Sequence, residues 1–348
     1  MVPGRIIVLV AAFVNLTFLP CPPHVGPSSH FVTRRGQCLL REGRQFRFIG
    51  VNCYRLAEYG QQADWIFSTL ATHGVKVVRF WAFQKYCGPS GRDFSRFDAL
   101  VAAAGRHDIL LLPVLENHWT DCTYGNIVKP RAWYERGWRR GSFGSAPRSY
   151  CNYAREIAAH YRDEPQVVAW QLVNEPEIHP DTDENFKVLQ NFAREAAIEI
   201  KQMDPNHLVS LGLLGIGQPS TTGGKFRALQ NCDSLDLVTA HDHGYIYERL
   251  AGRHWRLRQN SFYADLCDAR SLAKPFVATE SGIALPWVNG DREQRSRLFR
   301  EKLNAFFASG GSGYILWNFE PECDTEFGFD AADPVMRTLA ETAQGLSS

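Results

Sequence analysis

The chain has 348 residues, of which 45% are hydrophobic, 12% aromatic and 22% charged. That composition belongs to an ordinary globular protein and excludes extensive disorder, collagen-like repeats or low-complexity character. Lys and Arg total 38 against 37 Asp and Glu, a net charge of +1, so no global field gathers nucleic acid or an anionic membrane.

At the start, Arg5 precedes the apolar run Ile6 to Leu19, and a Pro-rich patch follows from Pro20 to Pro27. A run of that length is too short to span a bilayer as a helix. With a basic start and a breaker behind it, residues 1–28 read as a signal peptide or N-terminal extension of a secreted protein, without stable membrane insertion. There are nine cysteines, and removal of a leader through Cys21 would leave eight. Eight is compatible with up to four disulfides in an oxidising compartment; buried free thiols are the alternative.

Residues 29–348 read as one domain. The segment Phe31–Arg47 carries turn residues at Arg35–Gly36 and Glu42–Gly43 between apolar stretches, the pattern of a small β-hairpin. Near-continuous apolar runs then predict strands at Arg47–Asn52, Val75–Trp81, Ile109–Glu116, Val167–Asn174, Leu208–Leu213, Leu235–His241, Pro275–Glu280 and Gly313–Phe319. Strands of this kind are parallel and covered on both faces. Amphipathic stretches alternate with them at Gln61–His73, Phe94–His107, Tyr150–Tyr161, Glu184–Gln202, Ser261–Ala273, Arg292–Ala308 and Pro334–Gln344; the link between the fifth and sixth strands is only weakly helical. This order predicts an α/β fold of the (β/α)8 TIM-barrel type, with an N-terminal β-hairpin able to plug the barrel. The rival, a doubly wound open sheet, lacks its phosphate-binding glycine motif.

The longest irregular stretch, Asn117–Arg148, follows the third strand and holds Trp119, Trp133 and Trp138 with Tyr124, Tyr134 and Phe143. Flat aromatic faces suit the apolar faces of sugar rings, while some of these rings are expected to pack onto neighbouring helices instead.

The fourth strand closes on Asn174-Glu175-Pro176 and the seventh on Glu280-Ser281-Gly282. In a barrel the C-terminal ends of the strands carry the active site, so these two carboxylates face each other across its mouth. Glycoside hydrolysis requires such a pair, one protonated and one ionised. A lone strand-end Glu is ordinarily a cap or an ion pair; two of them closing apolar strands point to catalysis.

Asn174-Glu175-Pro176, Glu280 and Val78-Arg79-Phe80-Trp81, with His241 and Trp317, resemble glycoside hydrolase family 5 in the clan of retaining (β/α)8 hydrolases. The likeness runs from about Phe31 to Phe319 and is greatest to endo-β-1,4-mannanases, through FVTRRGQCLLREGRQFRFIGVNCY, VKVVRFWAF and HYRDEPQVVAWQLVNEP. The resemblance implies Glu175 as general acid and then base, and Glu280 as nucleophile. Asn174 would bond the sugar 2-hydroxyl, Arg79 would hold Glu280 ionised, and His241 would orient Glu175. Trp317 would floor the central subsite, with His118 and Trp119 beside it. Where many relatives carry a Tyr two residues after the strand-six His, this chain has His243, and Tyr245 is the candidate substitute. Ser281 follows Glu280 where an aromatic is common, and Glu116, Glu320 and Glu322 add carboxylates near the mouth.

On a strand, His241 and His243 share a face, and with a carboxylate they could hold a metal. The carboxylate mechanism needs neither metal nor organic cofactor, and none is expected. The sequence thus predicts a monomeric, secreted retaining hydrolase of β-linked polysaccharide or oligosaccharide, most simply mannan. Another family 5 activity (cellulase, β-mannosidase or exo-acting furanosidase) and a sugar-binding barrel without turnover are the alternatives.

Overall fold

The computed structural model describes residues 30–120, 122, 127–243, 262–323 and 325–347. The leader expected over residues 1–28, Tyr124 and Tyr245 lie outside the described residues. No described helix is long and apolar enough to cross a membrane.

Eight parallel strands form one sheet: β4 (Phe48–Asn52), β5 (Val77–Trp81), β6 (Leu110–Val114), β7 (Ala169–Gln171), β8 (Leu208–Ser210), β9 (Val238–His241), β10 (Phe276–Glu280) and β11 (Gly313–Leu316). Their order is β8-β7-β6-β5-β4-β11-β10-β9. The edges meet: the N–H groups of Asp236 and His241 donate to Val209 O and Leu214 O at 2.8 and 3.0 Å, closing the barrel between the fifth and sixth strands. Each predicted strand is present, with shorter regular cores. The fourth ends its ladder at Gln171, but Leu172 and Val173 still donate to Ser210 and Leu211, so the extended path continues to the site. The weakly helical link between strands five and six holds one short helix, Lys225–Gln230.

The N-terminal element is a three-stranded meander, β1 (Thr33–Arg35), β2 (Cys38–Arg41) and β3 (Arg44–Gln45), where the sequence suggested a two-stranded hairpin. Its Val32 and Leu39 pack in one cluster with Phe48, Val77, Leu110 and Val277, which lie in the first halves of their strands. The meander therefore seals the N-terminal mouth and leaves the opposite mouth open.

Strand parity fixes what enters the barrel. Phe80 points outward to Phe97 of the helix Ser95–Arg106, with ring centroids 5.9 Å apart. Arg79 and Trp81 share the other face, so the guanidinium lies 5.0 Å from the Trp81 ring. Of the described cysteines, Cys38 is disulfide-bonded, while Cys53, Cys87, Cys122, Cys151, Cys232, Cys267 and Cys323 are free. The expectation of up to four disulfides is thus corrected; Cys53, Cys87 and Cys151 are buried and serve as small apolar residues.

Candidate active site

At the open mouth, strands four and seven deliver Glu175 and Glu280 to one cleft of about 450 Å³, with Arg79 of strand two and His241 of strand six buried behind them and bonded to their carboxylates. Its walls include Trp81, Trp119, Trp287, Trp317 and Phe327. Arg79 is fully buried and each of its nitrogens is used. Nη1 donates to Glu280 Oε1 at 2.6 Å and Asn52 Oδ1 at 2.8 Å; Nη2 reaches Asn174 Oδ1 at 2.6 Å, and Nε reaches Gln171 Oε1 at 2.8 Å. One planar cation thereby locks residues from three other strands into a single geometry, which a lysine could not do.

Burial on its own would raise the Glu280 carboxyl. The cationic side of His241, Arg79 and the hydrogen bond from His243 outweigh it and hold the group at about 2. Glu280 is therefore ionised at any ordinary pH.

Glu175 sits where the chain leaves the fourth strand with φ of +49°. A side chain-bearing residue in the left-handed region costs on the order of 1–3 kcal/mol and persists where the surroundings enforce it. Here the Glu175 N–H donates to Gly212 O at 2.8 Å. Gly212 has φ of +94°, and a Cβ there would stand 2.3 Å from Val173 O, so only glycine permits the contact. The Glu175 side chain is gripped at both oxygens: Oε1 pairs with His241 Nδ1 and Oε2 accepts from Trp119 Nε1, both at 2.7 Å.

His243 stands where the resemblance led a Tyr to be expected. Its Nδ1 accepts from the Gly282 N–H at 2.9 Å, so its proton lies on Nε2, which faces Glu280 Oε2 at 3.4 Å. The sequence offered His243 as a metal ligand beside His241; in the structure it accepts from Gly282 and faces Glu280 with the same ring.

Glu175, His241, His243 and Glu280 each place a ligand-type atom within 4.8 Å of the others, the composition of a metal centre. Two of the four are already engaged. A metal on His243 Nε2 would displace the proton that the Gly282 bond requires there, and Glu280 already bears the Arg79 cation at 2.6 Å. The donor set is arranged for proton and sugar chemistry.

Asn174 Nδ2 donates to Asn117 Oδ1 at 3.1 Å, beside the cleft. Trp317 borders the cleft and stacks on Tyr54, with centroids 5.2 Å apart and planes 13° from parallel. His118 departs from expectation. It is buried, bonds Tyr134 through Nδ1 at 2.7 Å, and is not among the cleft-lining residues. Its backbone N–H, donating to Asn174 O at 3.0 Å, is what serves the site. Of the loop aromatics, Trp133, Tyr134 and Trp138 pack around Phe192 at 5.2–5.4 Å, leaving Trp119 in the cleft. The extra carboxylates have structural partners: Glu116 pairs with buried Lys129 at 3.2 Å, and Glu320 accepts from Asn318 and Thr325. Glu322 is exposed. Sequence reading missed Trp287 and Phe327, which meet edge-to-face at 5.3 Å on the cleft wall.

The family model described as cellulase (glycosyl hydrolase family 5) matches residues 39–319. The chain belongs to glycosyl hydrolase family 5. It is a glycoside hydrolase, and it is 27% identical to putative mannan endo-1,4-β-mannosidase 4 of Arabidopsis thaliana, over 92% of this chain and 90% of that protein. It is 30% identical to putative mannan endo-1,4-β-mannosidase 5 of Oryza sativa subsp. japonica, over 89% of this chain and 74% of the other. The family 5 barrel also superposes on the hyperthermostable endo-1,4-β-D-mannanase of Thermotoga petrophila with a TM-score of 0.70 at 23% identity, covering 86% of this chain and 99% of that one.

Proposed function

We propose that this family 5 hydrolase is a secreted mannan endo-1,4-β-mannosidase working by double displacement. The observation that carries the mechanism is the spacing of the two glutamates, which bring oxygens within 4.8 Å of each other. Retaining enzymes hold their carboxyl groups about 5–5.5 Å apart, whereas inverting ones leave about 6.5–9.5 Å for a water. Glu280, ionised and aimed by Arg79, attacks the anomeric carbon. Glu175 protonates the departing glycosidic oxygen, and a covalent glycosyl-enzyme forms. Glu175 then takes a proton from a water whose oxygen bonds the anomeric carbon and displaces the Glu280 carboxylate, which releases the sugar with its original configuration. Asn174 is placed to bond the 2-hydroxyl, an interaction that tightens as charge develops at the ring. Trp317, at the cleft wall, supplies the sugar platform.

The choice of mannan rests on the relatives from Arabidopsis thaliana and Oryza sativa, whose names carry that activity. The Pro-flanked apolar leader supports secretion. A product profile on mannan, glucomannan, cellulose and xylan tests the reading. Short manno-oligosaccharides released first from mannan support it; preferential release of cello- or xylo-oligosaccharides contradicts the substrate.

A further inference from the structure

The third-strand turn is tied to the fourth-strand end more firmly than a loop requires. Asn117 pairs with Asn174 as an isolated bridge, His118 N–H donates to Asn174 O at 3.0 Å, and Trp119 N–H donates to Asn117 Oδ1 at 3.3 Å. Below them buried Lys129 Nζ donates to Asn117 O at 3.0 Å. This framework fixes the Trp119 indole so that Nε1 meets Glu175 Oε2 at 2.7 Å. His118 braces the indole edge-on, with centroids 4.7 Å apart.

We propose that Trp119 is a positioning residue for the acid/base, its indole N–H steering the Glu175 carboxyl as well as its ring meeting sugar. The proposal rests on the two-glutamate reading above. An indole N–H only donates, so Oε2 must accept, and the bond is stronger when Glu175 is ionised. Glu175 has to be protonated for the first displacement and ionised for the second. Trp119 favours the second of these states, and His241 at Oε1 is the group on the other side. The charges that also face Glu175 are Arg79 from strand two, Glu280 from strand seven, His243 after strand six and Glu177 two residues along. None of these occupies Oε2 as Trp119 does.

The test replaces Trp119 with Phe, which keeps an aromatic face and loses the donor. Position 119 is also filled with benzothienylalanine, an isostere of tryptophan that has sulfur in place of N–H, so that folding is preserved. Mannan hydrolysis is followed across pH for kcat and KM separately. The expected result is that both variants move the basic limb of the kcat/KM profile up by about one pH unit, because the lost bond favoured the ionised form. The isostere should leave KM near the wild-type value and lower kcat. An unmoved basic limb with only KM raised makes Trp119 a sugar platform and overturns the proposal. Wild-type enzyme without turnover on any β-linked glycan overturns the two-glutamate reading instead.

Discussion

His243 Nδ1 accepts a hydrogen bond from the Gly282 N–H at 2.9 Å, and this contact decides which nitrogen faces Glu280. The amide can satisfy only an unprotonated nitrogen, so Nε2–H is the group left to face Glu280 Oε2. A backbone donor after strand seven thus selects a side-chain tautomer after strand six. Gly282 has no room to change: a Cβ there would lie 2.7 Å from Phe327 Cδ1 and 3.1 Å from His243 Cε1.

His243→Phe should keep the ring packing and remove the Glu280 donor. A hydrogen bond to a charged group contributes about 1.5–3 kcal/mol, so kcat/KM should fall about 10- to 100-fold. Steady-state kinetics check this, and an unchanged rate would show that Arg79 and His241 alone suffice to hold Glu280.

Arg79→Lys keeps the charge and loses the fork. Asn52, Gln171, Asn174 and Glu280 cannot all be met by one ammonium. Breaking a buried pair costs roughly 3–5 kcal/mol. Urea unfolding should report a loss of that order, accompanied by near-complete loss of turnover.

The low Glu280 value also makes a stability statement with a definite sign. Its folded-state pKa lies below the ordinary 4.5, at about 2. The stabilisation is therefore fully present above the unfolded value and is lost as pH falls from about 4.5 towards 2. The difference in unfolding free energy between wild type and Glu280→Gln should be constant near neutrality and shrink across that acid window. Denaturant titrations at several pH values would reveal it; a difference that grows on acidification contradicts the assignment.

Gly212→Ala forces a Cβ to 2.3 Å from Val173 O at a φ of +94°. The strand must shift, and the Glu175 N–H loses its fixed acceptor. The expected outcome is a lowered melting temperature together with a loss of activity at least tenfold greater than for a surface Gly→Ala control. Comparable activity in the two variants would separate the Glu175 backbone from its placement.

The barrel and its two carboxylates were legible because apolar runs and strand-end polar residues are local signals. Asn174-Glu175-Pro176 and Glu280 announce themselves by closing strands that otherwise contain nothing ionisable. What was not legible depends on side-chain direction. His118 and Trp119 are adjacent, and only the buried hydroxyl of Tyr134 determines that the His turns inward while the Trp enters the cleft. Trp287 comes from the short 3-10 helix Leu285–Val288 after the seventh strand and Phe327 from the segment after the eighth, where no periodicity marks them. The cysteine count suggested bridges, but spacing along the chain says nothing about Cβ separation across the barrel. His243 was half-legible: its departure from the relatives' Tyr stood out, and its double contact required Gly282 in space.

The central claim is that Glu280 is the nucleophile. It is tested most directly by trapping the intermediate with an activated 2-deoxy-2-fluoro-β-mannoside and mapping the labelled peptide by mass spectrometry. The account expects one added sugar per chain, on Glu280, with turnover lost in proportion to labelling. A label on Glu175, or full inactivation without any covalent sugar, would contradict it.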